Sequence, residues 1–302
     1  MNALWSEPLA EAIGNALRDA GDAGPVRTAS PVGGGCINHV LRLQTDGASY
    51  LLKWHPQAPP TMFAQEAQGL ALLREAQSVR IPTVIAVAES TTEHPAYLLL
   101  EWIDPHPAAN HQQAQALLGT QLATIHRQCS APAYGLDQPN YLGSTLQPND
   151  WHHDWVVFFR ERRLRPQLAL AQQQGLLPVA TQRALERLLE RLENWLGGYS
   201  HTPALIHGDL WGGNVLIDRN NQPVLIDPAV SYSDREAELA YTELFGGFHP
   251  AFYQAYQATW PTSPGRTPRR DIYNLYHLLN HLNIFGTSYL ASIEHIVRHY
   301  LR

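Results

Sequence analysis

A stretch in the second half of the chain constrains the fold more than any other feature of the sequence. Residues 204–209 read ALIHGD, so a short apolar run ends in a histidine, a glycine and an acid. Asn214 follows this stretch, and two VLI runs then lead to a second acid, Asp227. Short β-branched runs bounded by Gly, Asn, Asp and Pro are typical of strands. The pattern therefore predicts short strands whose ends carry Asp209, Asn214 and Asp227.

Features nearer the N-terminus belong to the same arrangement. Three consecutive glycines at 33–35 lie between a first predicted strand and a hairpin that turns at Asp46-Gly47, a preferred hairpin dipeptide. Lys53 lies on the returning strand of that hairpin. Glu66 falls on the apolar stripe of the next predicted helix, and a carboxylate on a buried face needs a cation. We therefore expect Glu66 to hold Lys53.

These parts, in this order, are the ones that phosphoryl transfer requires, because its catalysis consists mostly of positioning and charge neutralisation. Backbone N–H groups of a glycine-rich loop approach phosphates, and a strand lysine neutralises them. One aspartate orients the hydroxyl proton, while an asparagine five residues later and a second aspartate bind magnesium ions. The glycine run alone is weak evidence, since it lacks the GxGxxG pattern, but the ordered set indicates a phosphotransferase.

The basic residues add independent support. Of the 21 basic residues, 20 are arginines and only Lys53 is a lysine. Lysine is a compact point charge and arginine a planar fork, so the two do not replace each other at every site. The only lysine lies at the strand position where phosphoryl transfer needs one.

Charge and cysteine content exclude several classes of protein. The 302-residue chain has a formal net charge of −6, which argues against a nucleic-acid binder held by phosphate contacts. Cys36 and Cys129 form no CxxC pair, so neither a disulfide framework nor a cysteine-based zinc site is expected. The N-terminal segment does not resemble a signal peptide, and no apolar run reaches about 18 residues. We expect a cytoplasmic protein without nucleic-acid or membrane partners.

The distribution of the patterns predicts two lobes and an α+β fold. Strand patterns dominate residues 1–103, which form the expected small N-lobe with the glycine-rich loop, the lysine and the glutamate. Residues 104–302 are mainly helical and form the expected C-lobe with the catalytic and metal-binding loops and the acceptor site. Within them the basic run at 160–165 predicts a solvated helix face, or one arginine that reaches substrate.

Four segments of the chain resemble the fructosamine (ketosamine-3-) kinase family: HGDLWGGN at 207–214, DPAVSYSDREAELA at 227–240, GGGCIN at 33–38 and NYLGSTLQPNDW at 140–151. The HxDxxxxN spacing is shared by a whole superfamily, whereas the WGGN ending and the DREAELA segment are more particular. The resemblance implies a bilobal protein-kinase-like fold. It also implies an ATP- and Mg²⁺-dependent kinase that phosphorylates the sugar 3-hydroxyl of ketosamines, so that the amine is released and the adduct is deglycated.

The resemblance further implies a role for each matched residue. Asp209 is the base that faces the sugar hydroxyl. Asn214 and Asp227 hold magnesium, while Lys53 meets the ATP phosphates and Glu66 positions that lysine. The remaining ATP contacts are expected from the glycine-rich loop and from a hinge beside the adenine: Gly33, Gly34, Gly35, Glu101, Trp102 and Ile103.

Two residues near these motifs have open interpretations. Trp211 either stacks against the sugar ring or braces the catalytic loop from the core. Cys36 adjoins the glycine run, where N–H groups favour a thiolate, so its oxidation is a candidate for blocking nucleotide binding, also through an intermolecular disulfide. The alternative is that Cys36 has no redox role and occupies this position because a small side chain fits the turn. Both a monomer and a redox-linked dimer are therefore open.

Two other functions compete with a ketosamine kinase. A choline- or aminoglycoside-type phosphotransferase would be expected to carry more acids than residues 140–151 offer. A nucleotide-binding pseudokinase would keep the fold without the chemistry, but every chemical part is present here. The sequence does not distinguish fructosamines from ribulosamines, or free ketosamines from glycated proteins.

Overall fold

The computed structural model describes residues 5–33 and 37–301, which form two compact units. The first unit comprises residues 1–110 together with 215–227, and the second comprises residues 111–214 and 228–302. The segment 215–227 belongs with the first unit because Arg80 forms an ion pair with Asp218 and a β-bridge with Val224.

A five-stranded antiparallel sheet is the main element of the first unit. The strand order is β1-β2-β3-β5-β4, with strands β1 Thr28–Pro31, β2 His39–Gln44, β3 Ser49–His55, β4 Val84–Ala88 and β5 Ala96–Glu101. Two helices accompany the sheet, α1 Glu7–Asp19 and α2 Met62–Glu75. The hairpin expected at Asp46-Gly47 is confirmed, since Gln44 pairs with Ser49.

Helix α1 packs on one face of this sheet. Ser6 caps the helix, because its side chain accepts a hydrogen bond from the backbone of Leu9, which satisfies one of the unpaired N–H groups of the first turn. Apolar residues at helical spacing on α1 meet alternate residues of the strands, and the resulting core cluster contains Leu9, Ile13, Leu17, Leu41, Leu43, Tyr50, Leu52, Tyr97 and Leu99.

The second unit is mainly helical. Its helices are α3 His111–Gln128, α4 Trp155–Phe158, α5 Arg165–Gln173, α6 Val179–Leu189, α7 Glu193–Leu196, α8 Arg235–Leu244, α9 Pro250–Thr259, α10 Arg266–Phe285 and α11 Leu290–Tyr300. A π-helical turn, Phe159–Leu164, joins α4 to α5, and 3₁₀ turns cover Gly212–Asn214 and Thr287–Tyr289.

Short strand pairs hold the loops of both units. In the second unit β6 Asn140–Leu142 pairs with β7 Thr145–Gln147, and β8 Pro203–Ile206 pairs with β11 Ser231–Asp234. In the first unit β9 Val215–Ile217 pairs with β10 Pro223–Leu225. Strands β8, β9 and β10 correspond to the ALI and VLI runs of the sequence, so the polar residues that follow them lie at strand ends.

The basic run differs in part from the expected solvated face. Arg163 is only 3% exposed, and its guanidinium lies 4.6 Å above the ring of Phe158. Burial lowers the pKa of Arg163 to about 10. Since the run lies in a π-helical turn, the ordinary helical period does not predict which of its side chains point inward.

Over the described residues, no helix combines the length and the apolar character needed to cross a membrane.

Candidate active site

Lys53 lies at the centre of a buried group of charges in the first unit. Its side chain is 6% exposed, and Nζ lies 2.7 Å from Oε1 of Glu66 and 2.8 Å from Oδ1 of Asp227. The pleat of β3 sends Lys53 away from the face that packs on α1, because Leu52 next to it belongs to that core. The strand, the helix α2 and the loop after β10 each supply one member of the group.

The charges of this group depend on one another. Burial alone would lower the pKa of Lys53, but the neighbouring carboxylates of Asp227 and Glu66 outweigh burial and raise it. Burial raises the pKa of Glu66, although Lys53 opposes that change. A buried ion group of this kind is costly to desolvate, and such groups concentrate at functional sites.

Asp227 provides the exposed side of this group. Its carboxylate is 39% exposed while that of Glu66 is 12% exposed. The backbone of Asp227 has a φ of 58°, a left-handed conformation that aspartate tolerates better than most residues. The buried carboxylate therefore positions the lysine, and the more exposed one remains accessible to a ligand.

The predicted hinge residues begin at Glu101, the last residue of β5. The carboxylate of Glu101 accepts hydrogen bonds from Arg80 at 2.6 Å and from Thr83 at 3.1 Å. The backbone N–H groups of Glu101 and Trp102 donate to the carbonyls of Thr83 and Ser49. Ile103, the third hinge residue, is 5% exposed. Two of the three hinge N–H groups are thus already used by the sheet.

The predicted glycine-rich loop is described only in part. Gly33 follows β1, and a Cβ added there would meet no atom within 4 Å. Gly34, Gly35 and Cys36 lie outside the described residues, so their predicted roles stay predictions.

Asp209 and Asn214 come together in the second unit. The side-chain Nδ2 of Asn214 donates to the carbonyl of Asp209 at 2.8 Å and to its Oδ2 at 3.1 Å. The backbone N–H of Asp209 donates to Nδ1 of His207 at 3.3 Å. The 3₁₀ turn Gly212–Asn214 brings the asparagine back toward the acid. The five-residue spacing of the motif thus corresponds to a closed loop around Asp209.

Glu238 on α8 forms hydrogen bonds to the backbone of this loop, and the sequence motif alone does not reveal this contact. Its carboxylate accepts hydrogen bonds from the backbone N–H groups of Gly208 at 2.7 Å and His207 at 3.2 Å. His126 on α3 lies 2.8 Å from the same carboxylate. Burial alone would raise the pKa of Glu238, but its interactions with His126, His207 and Gly208 outweigh burial and lower it. An ionised carboxylate therefore anchors the two peptides that precede Asp209.

Gly208 lies at a position that no other residue fits. Its φ is +84°, and a Cβ added there would lie 2.0 Å from the carbonyl oxygen of Ala229. The N–H of Ala229 donates to the carbonyl of His207 at 2.8 Å. The loop backbone is therefore fixed on both sides of Gly208.

Two aromatic residues flank the loop. Tyr241 is 2% exposed, and burial together with its hydrogen bond to the Asp209 carboxylate raises the pKa of its hydroxyl. Trp211 is 42% exposed. A Cβ added at Gly213 would lie 2.4 Å from the Trp211 ring, so this glycine leaves room for the indole.

The residues predicted to hold magnesium suit that ion chemically. Mg²⁺ takes oxygen ligands and commonly uses one or two carboxylates together with the phosphates of its nucleotide, and Asp227 offers a partly exposed carboxylate. Across residues 5–33 and 37–301, no group of three or more His, Cys, Asp or Glu side chains is arranged to hold a metal ion by itself. A magnesium site completed by nucleotide oxygens is compatible with both observations.

The first unit is β-rich and holds a buried strand lysine against a helix glutamate. The second unit is mainly helical and carries an HGD loop closed by an asparagine. Together these features define a phosphotransferase of the protein-kinase-like class. The model of the fructosamine kinase family matches residues 10–302. The chain belongs to this family.

Individual relatives agree with this assignment. A protein named as a ketoamine kinase from Enterococcus faecium is 40% identical over 270 residues, which cover 89% of this chain and 94% of the relative. The chloroplastic protein-ribulosamine 3-kinase of Arabidopsis thaliana is 36% identical over 303 residues, covering 100% of this chain and 90% of the relative.

Solved structures agree on the fold. A protein named as a fructosamine-3-kinase from Haemophilus somnus superposes with a TM-score of 0.87 at 27% identity, covering 96% of this chain and 97% of the other. An aminoglycoside phosphotransferase superposes with a TM-score of 0.65 at 16% identity over 96% and 98% of the two chains, a likeness of fold alone. The α+β protein-kinase-like fold and the family expected from the sequence are confirmed.

Proposed function

We propose that this protein is an ATP-dependent kinase that phosphorylates the sugar 3-hydroxyl of ketosamines. Phosphorylation there makes the adduct labile, so that the amine is released and deglycation results. The acceptor class is supported by the family match over residues 10–302, which is the observation that carries the proposal. The protein-ribulosamine 3-kinase of Arabidopsis thaliana supports a pentose-derived sugar, and the name of the fructosamine kinase family supports a hexose-derived one.

Asp209 is the proposed catalytic base. Its carboxylate takes the proton of the 3-hydroxyl as the sugar oxygen forms a bond to the γ-phosphorus of ATP. The bond between that phosphorus and the β,γ-bridging oxygen breaks at the same step, and ADP leaves with the bonding electrons. Asn214 donates a hydrogen bond to Oδ2 of Asp209, and Tyr241 hydrogen-bonds to the same carboxylate, so both side chains hold the base in place. A positioned base of this kind contributes about 10²–10⁴ in rate.

Lys53 is the proposed partner of the ATP phosphates. Its ammonium stays protonated because two carboxylates flank it, and it carries positive charge to the inner phosphates. Glu66 keeps Lys53 in place. Of the hinge residues, Ile103 is the proposed backbone donor to the adenine, because the N–H groups of Glu101 and Trp102 already donate within the sheet.

Magnesium would neutralise the developing charge on the phosphates when it is bound. Asp227 and Asn214 are its proposed ligands, and both offer the oxygen atoms that this ion prefers. Trp211, exposed beside the loop, is proposed to stack on the apolar face of the sugar. The two widely spaced cysteines favour a cytoplasmic site of action.

The test is ADP release in Mg-ATP with a panel of ketosamines, choline and aminoglycosides. We expect turnover with ketosamines alone, and its loss in Asp209→Asn. Turnover with choline or an aminoglycoside but with no ketosamine would refute the proposed acceptor class.

A further inference from the structure

Four aromatic side chains of the second unit form a partly exposed cluster, called here the aromatic patch: Phe245, His281, Phe285 and Tyr289. The ring of His281 lies 4.9 Å from that of Phe245, 5.5 Å from Phe285 and 5.0 Å from Tyr289. Phe245 is 44% exposed and Phe285 is 48% exposed. Clustered exposed rings mark binding surfaces more often than scattered ones do.

The patch lies next to the catalytic loop, the segment 207–214. Tyr241, which hydrogen-bonds to the Asp209 carboxylate, lies edge-on to Phe245 with ring centroids 5.9 Å apart. Two residues after Phe245, a Cβ added at Gly247 would lie 3.5 Å from Cα of Gly212. An acceptor whose hydroxyl reaches Asp209 would therefore have its other end close to the aromatic patch.

The patch carries no charge of its own near neutral pH. Burial lowers the pKa of His281, and its Nδ1 lies 2.8 Å from the carbonyl of His277, so the ring is neutral and donates there. The nearby Glu243 forms ion pairs with Arg266 and Arg270. Binding at this surface must therefore rely on ring faces and apolar contact.

A ketosamine joins a polar sugar to an amine that is protonated near neutral pH and that carries a variable side chain. Aromatic faces attract substituted ammonium groups and bury apolar groups of ligands. The sugar end suits the polar catalytic loop, and the amine end suits the aromatic patch.

We propose that the aromatic patch binds the amine-derived part of the acceptor and selects ketosamines whose amine carries a bulky apolar or aromatic group. This inference rests on the proposed kinase function. Phe245 and Phe285 are its specificity-determining residues, and neither belongs to the motifs that perform the chemistry.

The test compares two acceptors with the same sugar, one made from phenylalanine and one from glycine, which differ only by a benzyl group. We expect a higher kcat/KM for the phenylalanine adduct in the wild type. In Phe245→Ala and Phe285→Ala the ratio of the two kcat/KM values should fall about three- to tenfold, the range expected for one lost aromatic contact. Because both acceptors are measured on one enzyme sample, any loss of folded protein cancels in the ratio.

Two further variants sharpen the test. Phe285→Leu keeps apolar area but loses the ring, so its ratio should lie between those of the wild type and Phe285→Ala. Val179→Ala removes an apolar side chain that is 61% exposed on α6, outside the patch, and should keep the wild-type ratio. A wild-type ratio near one, or a ratio unchanged in both alanine variants of the patch, would overturn the inference while ketosamine turnover stands. Turnover of neither adduct would refute the proposed function and this inference with it.

Discussion

The Glu238 carboxylate accepts a hydrogen bond from the backbone N–H of Gly208 at 2.7 Å, one residue before the proposed base. The same carboxylate accepts from His207 at 3.2 Å. A buried acid on α8 thus fixes the backbone direction from which Asp209 projects. Misplacement of a reacting group by about 1 Å can cost about 10²-fold in rate, so this anchor is expected to influence kcat without contact to substrate.

Glu238→Gln tests the anchor. The amide offers only one acceptor oxygen to two peptide N–H groups, so we expect kcat to fall about 10- to 100-fold with a smaller change in KM for ATP. Glu236→Gln is a matched control, because Glu236 is equally buried on the same helix at 2% exposure but pairs with Arg269 at 2.7 Å. Equal losses of kcat in the two variants would show that Glu238 contributes to stability and has no specific role in positioning Asp209.

Lys53→Met tests the buried group of charges. It removes the cation proposed to meet the phosphates, so we expect kcat/KM for ATP to fall about 10²–10³-fold. It also leaves Glu66 and Asp227 unpaired, so the protein should lose about 3 kcal/mol of stability. The double variant Lys53→Met/Glu66→Gln should recover part of the stability and none of the activity. Thermal unfolding and ADP release measured on the same samples separate the two effects, and an active double variant would contradict the role of Lys53.

Gly208→Ala tests the backbone of the catalytic loop. The new Cβ would lie 2.0 Å from the carbonyl of Ala229, so the loop must move. Gly175→Ala is the control, because Gly175 also has a positive φ of +68° but has nothing within 4 Å of the added Cβ. The control should cost about 1–2 kcal/mol, and Gly208→Ala clearly more, in urea unfolding. Equal costs would show that the contact with Ala229 is unimportant.

His277 makes the folding stability depend on pH. Burial, with smaller contributions from His281 and Arg163, lowers the pKa of His277 well below its usual value, and its Nδ1 has no hydrogen-bond partner. The unfolded chain therefore binds a proton below about pH 6.5 that the folded chain does not. Stability is fully present above that pH and falls as the pH decreases, by up to about 1.4 kcal/mol per pH unit for one group.

His277→Phe should remove this contribution. Phenylalanine keeps a ring against Tyr241, on which His277 stacks with centroids 3.5 Å apart, and it does not titrate. The fall in unfolding free energy between about pH 6.5 and pH 5.5 should become smaller by about 1 kcal/mol. The unfolding free energy is measured by urea unfolding at both pH values. The same difference between the two values in His277→Phe as in the wild type would contradict the assignment of this pH dependence to His277.

Local patterns were sufficient to predict a pair between Lys53 and Glu66, but not the contact of Lys53 with Asp227. The Asp46-Gly47 turn fixes the register of β2 and β3, and helical spacing places Glu66 on the buried side of α2, so a pair between them follows from short-range chemistry. The residues proposed as the hinge, Glu101–Ile103, could be placed at a strand end from the sequence. Their hydrogen bonds could not be predicted, since these involve Thr83, which precedes β4, and Ser49 on β3.

Long-range contacts were the part that the sequence could not reveal. His126 meets Glu238 across 112 positions of the chain, and no local pattern links the two. The need for glycine at 208 depends on the carbonyl of Ala229, which only the folded strand pair β8–β11 brings near. Arg163 looked solvated because its neighbours are charged, whereas a π-helical turn directs it inward.

The central claim is that this chain transfers the γ-phosphoryl group of ATP to the 3-hydroxyl of a ketosamine, with Asp209 as the base. The most direct measurement is phosphorus and proton NMR of a ketosamine incubated with Mg-ATP and either the wild type or Asp209→Asn. We expect the wild type to form a sugar phosphate at the 3-position and then free amine, and the variant to form about 10²–10⁴-fold less in the same time. A phosphate at another hydroxyl, or equal product with the variant, would contradict the account.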